Sequence, residues 1–141
     1  PQAQENEVLL AYHRGFDARE LDKAGVDRVA NAEMLAACRD EIRRVRVDEG
    51  IVKYITAIAK ASRQTPDLVL GGSPRASVML LLAAKTFAAM QGRDYVTPDD
   101  VKYLVPPVYR HRIILKPEVV IEGLSPDDIV RGILAQVLVP R

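Results

Sequence analysis

Tryptophan is absent and aromatic residues make up only 5% of the 141 residues, so Leu, Ile, Val and Ala must build the core. The single cysteine, Cys38, excludes an internal disulfide and fits a reducing compartment, which makes the cytoplasm the expected location. With one cysteine and two distant histidines, the usual nitrogen and sulfur metal sites are not expected, and no metal residue is assigned. Neither sign of charge dominates. A net charge of +1 gives no electrostatic reason for a nucleic-acid or membrane-surface partner. No run of about eighteen apolar residues is present, so no membrane span is expected. Neither a Gly-x-x-x-x-Gly-Lys-[Ser/Thr] phosphate loop nor a Gly-x-Gly-x-x-Gly turn occurs. No signal peptide is visible, and an opening on Pro1 rather than Met reads as a piece of a longer protein.

The 48% apolar and 28% charged residues that are present suit one soluble domain spanning 1–141 with a real core. Helix signals dominate. A short helix is expected from about Ala3 to Arg14, stopped by Gly15, with His13 favoured in its last turn on structural grounds. Residues 16–30 read as a connector. Asn31 looks like an N-cap, and Leu35, Cys38, Ile42 and Val45 form one apolar helical stripe, which would make Cys38 a small core hydrophobe. Asp48 caps a further helix to about Arg63, with Ile51, Ile55, Ile58 and Ser62 on its inner face; Gln64-Thr65-Pro66-Asp67 ends it.

The centre of the pattern is Gly71-Gly72-Ser73-Pro74-Arg75-Ala76. Ser73 is a good N-cap, Pro74 suits the first helical position, and the glycines permit close backbone approach. The following fifteen residues to Met90 are apolar almost all round, which predicts a helix buried on most sides and closed at Gln91-Gly92. Arg75 is the odd residue, because the first turn of a helix carries positive partial charge. Thr97-Pro98-Asp99-Asp100 and Ser125-Pro126-Asp127-Asp128 open later helices with two acids each. An arginine in that place implies either an arriving anion, as at phosphate-binding helix ends, or an ion pair with an acid such as Asp67. These residues alone leave both open. The acid pairs belong to helix starts and are not expected to do acid–base chemistry, so the chain by itself is not expected to be an enzyme.

Val101, Leu104 and Val105 should face inward until Pro106-Pro107 breaks the helix, with a further turn through Val108–Arg112. The basic tip Arg110-His111-Arg112 reads as a solvated helix end. A small hairpin is expected between Arg112–Leu115 and Val119–Ile121, and Ser125 caps a last helix to about Leu138, before Val139-Pro140-Arg141 trails off. The resulting class is mainly α, a bundle of five or six helices.

The segment from Leu68-Val-Leu-Gly-Gly-Ser-Pro-Arg-Ala76, through Gly92-Arg-Asp-Tyr-Val-Thr-Pro-Asp-Asp-Val101, to Arg110-His-Arg-Ile113 closely resembles the C-terminal lid of MoxR-type AAA+ ATPases. Upstream, Asp48-x-x-Ile51-x-x-Tyr54-Ile55 is similar to the pre-sensor helix of that family, and Pro1 with Glu5-Asn6-Glu7 looks like the handover from the ATPase core. The resemblance implies a helical lid that closes over ATP held by a core absent from this chain, together with its Mg²⁺. It implies that Arg75 is the sensor 2 residue, reaching the γ-phosphate, with Gly71, Gly72, Ser73 and Pro74 shaping the loop that presents it. It also implies ring partners, commonly a hexamer, sometimes a von Willebrand factor A domain protein, and chaperone-like or metal-insertion work. No role for Arg63 or for Arg110-His111-Arg112 follows from it. The competing readings are a histone-fold-like module, which shares a long apolar helix before an Arg-x-Tyr-Val-Thr-Pro-Asp-Asp-Val link, and a helical protein-binding scaffold.

Overall fold

The computed structural model describes residues 1–140, so the expected trailing end at Arg141 lies outside the described residues. Contacts divide the chain into two units, Pro1–Cys38 and Arg39–Arg141. The first contains α1 (Gln2–His13), a 3-10 turn (Leu21–Ala24) and the opening turns of α2 (Ala32–Arg44). Gly15, at φ 93°, closes α1 as expected, and the Phe16 amide reaches back to the Ala11 carbonyl at 3.0 Å. Asn31 caps α2 by accepting from the Met34 amide at 2.8 Å. Neither helix buries a residue. Cys38 is exposed, which corrects its expected place on a core stripe. The stripe gains cover only toward its end, where Ile42 is half-buried and Val45 buried; its earlier turns, with Leu35 and Cys38, stay exposed.

The second unit holds the core. Helix α3 (Glu49–Gln64) starts at Asp48, whose carboxylate accepts from the Gly50 amide at 2.7 Å. Its buried residues Ile51, Tyr54, Ile55, Ile58, Ala59 and Ser62 recur at three and four residues, one stripe of a helix. Helix α4 (Pro74–Met90) packs on α3 and on α5 (Pro98–Tyr109), and α7 (Pro126–Gln136) closes against α3 and α5. Helices α5 and α7 each start with a capping box, Thr97 with Asp100 and Ser125 with Asp128. The mainly α class expected from the sequence is the one observed, with seven α-helices among the described residues rather than five or six.

Three expectations are corrected here. Helix α4 is buried along one stripe only, Ala76, Leu80, Ala84 and Ala88, while Val78, Leu82 and Met90 on the other side are exposed. An all-round apolar pattern shows that a helix can be covered everywhere, not that this chain supplies the cover. Helix α5 continues through Pro106 and Pro107 to Tyr109. Two amide donors are lost, but Val105 and Tyr109 on either side are about 1% exposed, and continuing the helix is what keeps both in the core. The Arg110 amide then resumes the ladder to the Pro106 carbonyl at 3.0 Å.

The third concerns the hairpin. Strand β2 (Ile114–Leu115) exists, but its antiparallel partner is β1 (Leu68–Leu70), with Leu68 opposite Leu115 and Leu70 opposite Ile114. The stretch expected as the second strand is helix α6 (Pro117–Ile121), because Pro117 sits at the first helical position, where its fixed φ favours a helix. Its preceding residue, Lys116, donates its amide to the Asp67 carbonyl at 3.0 Å, extending the β1–β2 pairing. The link after α4 is also held: the Arg46 amide donates to the Asp94 carbonyl at 2.8 Å and the Val96 amide to the Arg46 carbonyl at 3.1 Å.

Candidate functional site

The site grows from the junction of α3, β1 and α4. The last turn of α3 carries Ser62 on the core stripe, fully buried among apolar neighbours. A buried hydroxyl needs partners, and Ser62 has two. It donates to the Ala59 carbonyl at 2.7 Å and accepts from the Gly72 amide at 2.8 Å. Next to it, Arg63 Nη1 donates to the Gly72 carbonyl at 2.7 Å. Both polar groups of one peptide residue are therefore held by consecutive side chains at the end of α3.

That closeness explains the glycine pair. A Cβ on Gly71 would lie 2.3 Å from the Ser62 carbonyl oxygen and 2.7 Å from the Arg63 Cα, which are backbone atoms that cannot turn aside. One on Gly72 would lie 2.4 Å from the ring of Tyr109, itself about 1% exposed. Neither glycine has a positive φ. Space, rather than an unusual backbone conformation, is what requires them.

From this fixed loop α4 begins. Ser73 caps it by accepting from the Ala76 amide at 3.3 Å, and Pro74 occupies its first turn. The first turn contains no acid, unlike the Asp pairs that open α5 and α7. Arg75 is exposed, and the arginines with ion pairs among the described residues are Arg19, Arg43, Arg46, Arg93, Arg110 and Arg131, not Arg75. Asp67, the acid considered as its partner, instead accepts from the Thr65 hydroxyl at 3.0 Å. One loop thus carries the Arg63 contact at Gly72 and, three residues on, Arg75 in the first turn of α4, with no carboxylate paired to Arg75 among the described residues. Such a place favours an anion.

The Tyr109 hydroxyl completes the surroundings. It is buried and makes no hydrogen bond among the described residues. Burial pushes its pKa up, an effect eased by the Ser77 hydroxyl and the Arg63 charge nearby.

Gly71, Gly72, Ser73, Pro74 and Arg75, the residues expected at the site, fall on one continuous loop and helix start. Sequence reading missed the roles of Arg63 and Tyr109. One signal was available, Ser62: a hydroxyl on an otherwise apolar stripe has to find a backbone partner, and the nearest glycine pair is the natural one. The basic tip at Arg110-His111-Arg112 is partly an ion pair, with Arg110 Nη2 at 3.2 Å from Asp127 at the start of α7. Among the described residues no cluster of three His, Cys, Asp or Glu is placed to hold a metal, and no helix is long and apolar enough to cross a membrane.

Comparison with known proteins gives a consistent picture. The profile of the AAA lid domain family matches residues 60–133, which contain the whole junction. The protein YeaC of Bacillus subtilis is 37% identical over 99% of this chain, which covers 48% of YeaC. The chaperone MoxR1 of Mycobacterium tuberculosis is 28% identical over the full chain, which covers 42% of it. A solved structure from Cytophaga hutchinsonii, described as a candidate ATPase, superposes with a TM-score of 0.69 at 34% identity, over 73% of this chain and 34% of that one. The chain therefore spans somewhat under half the length of these curated relatives.

Proposed function

The chain belongs to the AAA lid domain family, and from that premise we propose that it is the lid of a MoxR-type AAA+ ATPase in which Arg75 is the sensor 2 residue. The observation that carries this reading is the exposed, unpaired Arg75 on an acid-free helix start whose preceding loop is clamped to α3. A permanently charged, planar guanidinium is suited to gripping γ-phosphate oxygens, and the α4 amides add positive partial charge beside it. The loop residues Gly71, Gly72, Ser73 and Pro74 set where that guanidinium stands. ATP would be bound, with Mg²⁺, by a core domain outside this chain, and would supply the phosphate that biases the lid toward closure. Loss of the γ-phosphate removes the Arg75 contact and releases the lid, a two-state element biased by ligand.

The apolar outer side of α4 fits the same reading. Val78, Leu82 and Met90 would be covered by the core or by a neighbouring subunit of a ring, such as a hexamer, in the cytoplasm. Chaperone-like remodelling or metal insertion, with a von Willebrand factor A domain partner, is the work proposed for the whole assembly.

The test is the full-length protein with Arg75→Ala. Hydrolysis should fall on the order of a hundredfold while ATP still binds, the scale seen when one preorganised charge-stabilising donor is removed. Arg75→Lys should recover only part, since a lysine lacks the bidentate fork. Unchanged hydrolysis and ring assembly would instead favour a protein-binding scaffold.

A further inference from the structure

The end of α3 grips Gly72 from both sides, and this bears on how Arg75 is aimed. Arg63 Nη1 sits 2.7 Å from the Gly72 carbonyl, Ser62 Oγ 2.8 Å from the Gly72 amide, and Arg75 follows three residues later on the second position of α4. Gly71 passes so close to the α3 backbone that the loop cannot shift toward it, and the Tyr109 ring blocks Gly72 on another side. What remains free is motion away from α3, opposed at the Gly72 amide by the Ser62 hydrogen bond and at the Gly72 carbonyl by the Arg63 hydrogen bond. It is a charge-assisted bond to a backbone carbonyl, stronger than a neutral one. Arg63 makes no other hydrogen bond or ion pair among the described residues, so the Gly72 carbonyl is where its charge is used.

We infer that Arg63 is a positioning residue for Arg75: it locks the loop to α3, fixes the direction of the Arg75 guanidinium, and makes α3 and the start of α4 move as one body. The inference rests on the sensor 2 reading of Arg75. It differs from a direct anion role for Arg63, in which the remaining N–H donors of the guanidinium would reach the phosphate themselves, and the double variant separates the two. Arg63→Ala leaves the buried Ser62 bond and the core in place, so the effect falls on aim rather than on folding.

The experiment is a kinetic cycle in the full-length ATPase with Arg63→Ala, Arg63→Lys, Arg75→Ala and the double variant, alongside hydrogen exchange of residues 71–77 without nucleotide. Arg63→Ala should lower kcat between about ten- and a hundredfold, the scale of a small misplacement of a catalytic group, with KM for ATP changed less than about twofold. Arg63→Lys, which can still donate to the carbonyl, should recover most of it. In the Arg75→Ala background Arg63→Ala should cost nothing further. Exchange at 71–77 should speed up in Arg63→Ala at an unchanged melting temperature, and Arg63→Lys should restore it. Full additivity of the two alanine changes would overturn the inference by giving Arg63 its own contact with nucleotide. A silent Arg63→Ala beside an impaired Arg75→Ala would overturn it while leaving the sensor 2 reading intact. A silent Arg75→Ala would overturn both.

Discussion

The Ser62 hydroxyl and the Gly72 amide lie 2.8 Å apart in a fully buried position, ten residues apart in sequence and on either side of strand β1. This one bond joins the end of α3 to the loop that launches α4. It sits where a polar group is costly unless paired, so it holds the loop at one distance from the core.

Ser62→Ala should therefore destabilise the chain by about 1–3 kcal/mol, since it leaves the Gly72 amide buried without a partner. Urea unfolding followed by circular dichroism should show a lower midpoint with an unchanged slope. A midpoint equal to wild type would mean that water reaches the Gly72 amide.

Two glycine-to-alanine changes should move stability in opposite directions. At Gly71 the added carbon meets the Ser62 carbonyl at 2.3 Å, so backbone must move, and a loss of about 1–3 kcal/mol is expected. At Gly132, inside α7, it meets nothing within 4 Å. There alanine's better helix propensity should add about 0.5–1 kcal/mol. Thermal melts of the two variants against wild type decide both signs.

Much of this organisation is legible in residue order because its signals are local. Ser73-Pro74, Thr97-Pro98-Asp99-Asp100 and Ser125-Pro126-Asp127-Asp128 each cap the helix they were expected to cap. The misreadings come from decisions taken at a distance. Cys38 lies on a regular stripe, yet periodicity does not say whether anything lies over that stripe. Pro106-Pro107 looks like a stop until the burial of Tyr109 beyond it is known. Strand β2 finds β1 rather than its sequence neighbour, because Pro117 takes the neighbour into a helix. At the candidate site the helix start and Arg75 were readable. The Arg63 contact with Gly72 was not, since it depends on how closely two backbone segments approach.

The one-sided burial of α4 predicts a sharp contrast between neighbouring leucines. Leu80 is fully buried and Leu82 about half exposed. Leu80→Ala should cost about 2–5 kcal/mol through lost contacts and a cavity. Leu82→Gln should stay within about 0.5 kcal/mol of wild type in this chain, as surface changes usually do. If the full-length protein forms the proposed ring with that side of α4 covered, the same Leu82→Gln should weaken assembly, visible by sedimentation. Destabilisation of the isolated chain by Leu82→Gln would show that the outer side is packed within the chain itself.

Stability should fall in acid, and the direction follows from two carboxylates. At Asp100, burial alone would raise the pKa, but the Arg93 guanidinium, at 2.6 and 2.8 Å, and the Thr97 amide and hydroxyl together hold it below its ordinary value. At half-buried Asp128 the Ser125 hydroxyl and amide and the Arg131 guanidinium bring it down to about 2, from 3.8. Both folded values lie below the unfolded ones, so their stabilisation is complete above the unfolded pKa and disappears as pH falls through the folded pKa. For Asp128 that window runs from 3.8 down to about 2. The melting temperature should stay level above about pH 5 on this account and drop steadily between about pH 4 and 2. Asp100→Asn with Asp128→Asn should start from a lower melting temperature and lose much of that slope. If the double variant kept the full acid slope, other carboxylates would have to carry the pH dependence.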